Sequence, residues 1–220
     1  MFVSRLFFSY FRHFEKPNFM NAKLLNLILM LFCITLQINA LTIKEGNWEI
    51  TVDETNHNLM TITYAGTSIM NGAYSRATYD DAIGSGQEAS TFQSTLQSHV
   101  SESVNDNFGT GRRYVNTYKD GNILILQQFY FYDSLPYFIV KLSLTKSNET
   151  IKSNYIVPLC SDTQTTLLPS GYNNRMIYMP YDNDAWVRFQ SYYLTRTMTS
   201  FNATAFFNAD SRNGIVMGAV

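Results

Sequence analysis

The stretch "YFIVKLSLT", residues 137–145, alternates strictly: Phe138, Val140, Leu142 and Leu144 share one side, and Ile139, Lys141, Ser143 and Thr145 share the other. Successive side chains of a strand point to opposite faces, so period two with one apolar and one mainly polar face predicts an antiparallel sheet packed on one side and wetted on the other. No stretch after residue 41 sustains an apolar repeat of 3.6 residues, so strands are expected nearly throughout. Aromatic residues make up 15% of the chain and are spread over many such runs, as a β-rich core requires. The expected fold class is all-β, a large antiparallel β-sandwich. There is no internal repeat and no low-complexity tract.

Other strands follow from the same reading. "WEITV" (Trp48–Val52) and "LMTITY" (Leu59–Tyr64) flank the polar turn "DETNHN", Ala65-Gly66 leads to "TSIM", and Asn71-Gly72 predicts a further turn that closes a three-stranded meander. From Tyr74 to Gly111 the chain is rich in Ser, Gly, Asp, Asn and Gln. Long connections are expected there, with one strand at Ser94–Val104. "RRYVNTY", a Lys119–Asn122 turn, "ILILQQFYFY" (Ile123–Tyr132) and "DSLP" precede the alternating stretch. "TAFFN" (Thr204–Asn208), the turn "ADSRNG" and "IVMGAV" (Ile215–Val220) form the last pair.

The first forty residues read differently. Met20 to Lys23 is a short basic start, Leu24 to Leu36 is apolar apart from Asn26 and Thr35, and Gln37 to Ala40 ends on a small residue. That is the pattern of a secretory signal, with cleavage expected before Leu41. Thirteen residues at about 1.5 Å each span about 20 Å, short of the ~30 Å hydrocarbon core, so stable membrane insertion is not expected. Residues 1–19 precede a signal that has its own methionine and read as a start assigned too early. The resulting division is 1–19, the signal at 20–40, and one β domain at 41–220, exported to the periplasm or the medium.

Four of the 16 basic and one of the 17 acidic residues lie before Leu41, leaving 12 and 16, a net charge of −4. With no basic run, nucleic acid and anionic membranes are poor partners, and neither is expected. Cys33 leaves with the signal, so Cys160 is alone and no disulfide framework exists.

"YMPYDNDAWVRFQSYYL", from Tyr178 to Leu194, is the densest polar-aromatic segment. Its Asp182 and Asp184 are candidates for a carboxylate pair or a calcium loop, but the further oxygen ligands of a calcium shell are not visible nearby. The same residues suit a polar turn between two strands. A third reading is a surface for sugar or for a neighbouring domain: Tyr181 and Trp186 stack on a sugar face, and Asp182, Asp184 and Arg188 bond its hydroxyls. His57 and His99 lie in polar segments and read as surface residues. A zinc site is not expected, and no cofactor is.

Three pieces, "RRYVNTYKDGNILILQQFYFYDSLPYFIVKLSLT", "NNRMIYMPYDNDAWVRFQSYYL" and "TSFNATAFFNADSRNGIVMGAV", together resemble the N-terminal β-supersandwich of secreted α-galactosidase-like glycoside hydrolases, the melibiase and raffinose-synthase relatives of Bacteroides-type bacteria. The resemblance covers about Leu41 to Val220 and is most specific from Asn174 to Phe189. It implies a galactose mutarotase-like sandwich that precedes a catalytic (β/α)₈ barrel. Such a barrel takes roughly 250 residues and carries the two carboxyl groups of glycoside hydrolysis at its strand ends. None of that is in this sequence. "IVMGAV" stays apolar to Val220, which reads as a strand whose neighbour belongs to a longer reading frame. The implied function is a non-catalytic, carbohydrate-associated domain of a hydrolase acting on terminal α-galactosides, with the barrel as intramolecular partner. The alternative is a free-standing secreted carbohydrate-binding or structural sandwich.

Overall fold

The computed structural model describes residues 40–80, 86–92, 94–147, 149–161, 172–179, 190–195 and 199–219. In chain order the strands are β1 (Ala40–Glu45), β2 (Trp48–Asp53), β3 (Leu59–Tyr64), β4 (Thr67–Asp80), β5 (Gly86–Ser90), β6 (Thr95–Asp106), β7 (Gly109–Asp120), β8 (Ile123–Tyr132), β9 (Phe138–Lys146), β10 (Lys152–Ser161), β11 (Asn174–Tyr178), β12 (Gln190–Tyr193), β13 (Ala203–Asn208) and β14 (Gly214–Gly218). Every pairing among them is antiparallel. The all-β expectation therefore holds, and the only helical element among the described residues is a 3-10 turn at Glu54–Asn56.

The first sheet has the order β1-β2-β3-β4-β10, with β5 also on β4. The second is the meander β6-β7-β8-β9, and the third has the order β12-β11-β13-β14. Alternation explains how the first two meet. Ile43, Ile50, Val52, Met60, Ile62, Met70 and Ala73 of the first sheet form one buried cluster with Phe129 and Phe131 of the second. Ala77 and Ala89 form another with Tyr118, Ile123, Ile125 and Leu142. Phe138, Val140, Leu142 and Leu144, the apolar side of the opening alternation, all belong to or pack on these clusters. The third sheet reaches the first cluster through Met217.

Two sequence expectations are corrected. Asn71-Gly72 is not a hairpin turn. Met60 pairs with Ala73 but Ile62 with Met70, so β4 carries one residue more than β3 between those points, and Gly72 takes φ +67°. That is a bulge built on a left-handed glycine. The strand runs on to Asp80 because Ala73, Ser75, Ala77 and Tyr79 alternate inward, an alternation hidden by small side chains. Likewise, Tyr74–Gly111 is not a set of long connections, since it holds the second half of β4, β5 and β6. β6 is an outer strand with mostly exposed side chains. It is held by its ladder to β7, from Thr95↔Lys119 to Asp106↔Gly109, so composition gives no apolar signal there. The expected strand at Ser94–Val104 lies within two residues of β6 at each end.

The polar turn after β2 forms as expected. The Asp53 carboxylate accepts from the Thr55 and Asn56 amides at 3.0 and 3.1 Å and from the Thr55 hydroxyl at 2.6 Å. The Thr55 hydroxyl bond, more than any other, holds that carboxyl below its ordinary pKa. His57 and Asn58 then adopt left-handed conformations.

Candidate functional site

Tyr181, Asp182, Asp184, Trp186 and Arg188 lie outside the described residues. Their flanks are described: β11 pairs with β12 from Arg175↔Tyr193 to Tyr178↔Gln190, so the five sit on the connection between two neighbouring antiparallel strands. Among the described residues no group of three His, Cys, Asp or Glu side chains is placed to hold a metal ion.

A different polar-aromatic constellation lies at one end of the sandwich. A cleft of about 660 Å³ opens between the two facing sheets, and its lining includes Glu45, Trp48, Tyr64, Arg112 and Asp133. Each comes from an element end. Glu45 closes β1, Trp48 opens β2, Tyr64 closes β3, Arg112 stands near the start of β7, and Asp133 follows β8. Gly111 lets two strands of one wall come close. A Cβ there would lie 2.1 Å from the Phe131 carbonyl oxygen, so only glycine permits this approach of β7 to β8.

Trp48 is fixed on three sides. Its ring meets Tyr64 and Phe138 edge-on at centroid distances of 4.7 and 4.8 Å, and its indole N–H donates to the Pro136 carbonyl at 3.1 Å. Tyr64 remains 37% exposed beside it. Glu45 accepts from the Tyr114 hydroxyl at 2.6 Å, with the Arg112 Nε at 3.4 Å from the same oxygen. Burial, and then the bond to Glu45, push the Tyr114 hydroxyl up to about 12, so it stays a donor. Asp133 accepts from the Thr110 hydroxyl at 3.0 Å. The cleft thus presents two oriented carboxylates and a guanidinium beside two aromatic side chains. Such a surface offers hydrogen bonds to hydroxyl groups and an apolar wall to C–H faces.

His99 departs from the surface reading. It is half-buried, its ring stacks on Tyr114 at 5.8 Å, and its Nδ1 lies 2.7 Å from Oδ1 of the fully buried Asn116. With Oδ1 as the acceptor, Nδ1 carries the proton. His57 is exposed, as expected. The cleft was not anticipated from the sequence, because its residues come from five elements separated by up to about ninety positions. The local signals were weak ones: a Glu45-Gly46-Asn47 turn leading into Trp48, and the "DSLP" turn. Compared with protein-family models, with curated proteins and with solved structures, the chain gives no match in any of the three.

Proposed function

We propose that this chain is a non-catalytic, carbohydrate-associated β-sandwich, exported from the cell, that serves an α-galactosidase-like hydrolase whose chemistry resides in a separate barrel. The observation that carries the reading is the cleft in which Trp48 and Tyr64 stand beside Glu45, Arg112 and Asp133. Sugar rings carry apolar C–H faces and polar rims, and this is the complementary combination. The residue-level resemblance supplies the galactoside class. The export component rests on the signal pattern, and removal of residues 1–40 would take only the first residue of β1 from the described fold. Among the described residues no helix is long and apolar enough to cross a membrane.

Two tryptophans make the test direct. Trp48 lines the cleft, and Trp186 lies in the polar-aromatic segment. Titrating oligosaccharides that end in α-galactose should give a saturable change in tryptophan fluorescence. Loss of that change in Trp48→Phe with retention in Trp186→Phe assigns binding to the cleft, and the reverse assigns it to the segment 181–188. The absence of any saturable change across neutral oligosaccharides, in a protein that unfolds cooperatively, overturns the carbohydrate reading.

A further inference from the structure

Where the two apolar clusters meet, the sandwich interior is crossed by a polar row. His99↔Asn116 and Asn116↔Gln127 are successive cross-strand pairs of β6, β7 and β8, so the three side chains share one row of the second sheet's inner face. Gln127 continues the row to the facing sheet: its amide nitrogen donates to the Ser75 hydroxyl at 2.6 Å, and that hydroxyl donates to the Pro158 carbonyl at 2.5 Å. Asn116, Gln127 and Ser75 are all fully buried. With Ser75 giving its hydrogen to Pro158, the Gln127 nitrogen must face Ser75, and the amide orientation is fixed. Its carbonyl oxygen then points elsewhere and has no partner among the described residues. Next to it, the Asn116 amide nitrogen makes a single long bond of 3.5 Å to the Tyr118 hydroxyl, leaving donor capacity unused.

We infer that this row holds one internal water, which donates to Gln127 Oε1 and accepts from Asn116 Nδ2. Directly opposed residues of an antiparallel pair have Cβ atoms about 5 Å apart, which places both amide groups within reach of one water. A buried, unpartnered carbonyl next to an underused amide is the polar setting such waters occupy, at roughly one buried water per 27 residues in globular proteins. The water completes a hydrogen-bonded line from the half-buried His99 to the Pro158 carbonyl. That line ties the second sheet to β10 across the sandwich interior.

A high-resolution crystal structure of the full chain, paired with water-to-amide cross-relaxation measured by NMR in solution, tests this. The expected result is a single ordered water within hydrogen-bonding distance of both Gln127 Oε1 and Asn116 Nδ2, with cross-peaks to the two side-chain amides. Gln127→Met removes the acceptor while keeping length and approximate volume. In that variant the water and its cross-peaks should vanish while the spectrum stays dispersed. A direct Asn116 Nδ2 to Gln127 Oε1 bond with no water between them overturns the inference. So does a water that persists unchanged in Gln127→Met. Should Gln127→Met fail to fold, Asn116→Leu removes the donor from the other side and must abolish the same water.

Discussion

The facing pair of sheets and the third sheet use the same backbone ladder to very different effect. In the pair, Ile43, Ile50, Val52, Ile125 and Phe129 are wholly removed from solvent. In the third sheet only Met176 and Asn208 are buried among the described residues, whereas Val216 is 77% exposed and Ile177 and Tyr193 are also open. Its four strands are nonetheless fully registered, from Tyr193 through Arg175 and Phe207 to Gly214. Exchange of water for backbone partners leaves a small net gain per hydrogen bond, whereas apolar burial contributes about 25 cal/mol per Å². The comparison teaches that regular strands do not mark where stability resides. The facing sheets should form the cooperative unit, and the third sheet should open locally below the global unfolding free energy.

The largest expected effect breaks or upholds that contrast directly. Phe129→Ala removes a fully buried ring from the first cluster and should cost about 3–5 kcal/mol. Val216→Ala, on the open face of β14, should stay within about 0.5 kcal/mol. Urea unfolding of both variants is the check, and equal costs would dissolve the distinction. Native-state hydrogen exchange offers the backbone version, with β7 and β8 amides exchanging only through global unfolding and β12 and β14 amides exchanging ahead of it.

Gly111→Ala comes next. Its Cβ would collide with backbone of the neighbouring strand at the cleft wall, and relief of that overlap should cost about 1–3 kcal/mol. A neutral outcome would mean that β7 and β8 part easily, and that the sandwich end is as loose as the third sheet.

Alkaline pH separates the regions by a milder route. Burial first, then bonds to Glu45 and Asp106, push the Tyr114 and Tyr132 hydroxyls up to about 12, and burial raises Tyr118 as well. The native state therefore keeps these protons where the unfolded chain has begun to release them. The associated stability is complete below pH 10 and is lost as pH rises through about 12. Phenolate absorbance of the native protein should show a late-titrating class that disappears on unfolding, and its absence would place these hydroxyls in open water.

The smallest effect lies in the third sheet. Arg175 stands 4.2 Å from the centre of the Tyr193 ring, across the β11–β12 pair. Arg175→Ala should cost about 0.5–1 kcal/mol in the protection of that pair and nothing measurable in β8.

Legibility in the sequence followed burial. β3 and β8 were readable end to end, because in both the alternation is written in large side chains with turn residues on either side. The second half of β4 was not, because its inward residues include Ala73, Ser75 and Ala77, which fill the narrow space between sheets without an apolar run. β6 was legible only as an isolated strand, since an outer strand is fixed by its neighbour's backbone and places no demand on its own side chains. β10 was missed altogether. Its register with β4 shifts twice, between Ser153 and Tyr155 and between Val157 and Cys160, so no single alternation runs through it. The cleft residues are ordinary in their local contexts and become a site only through the closure of the sandwich, which no local pattern encodes.

The pairing of β4 with β10 also orders events in time. Ala73 pairs with Met60 on one edge and Ser161 on the other, so residues far apart in sequence become neighbours around a single strand. All of β6 through β9 lies in the chain between β4 and β10. The first sheet lacks this pairing until β10, which follows the whole meander in the chain, is in place, and β4 must wait with one edge open. Non-local closure of this kind makes folding slow relative to helical proteins of similar size. Any delay in forming β6 to β9 would prolong the interval in which that edge is available to the β10 of another copy, and exchange of that strand between chains is the misassembly this topology invites.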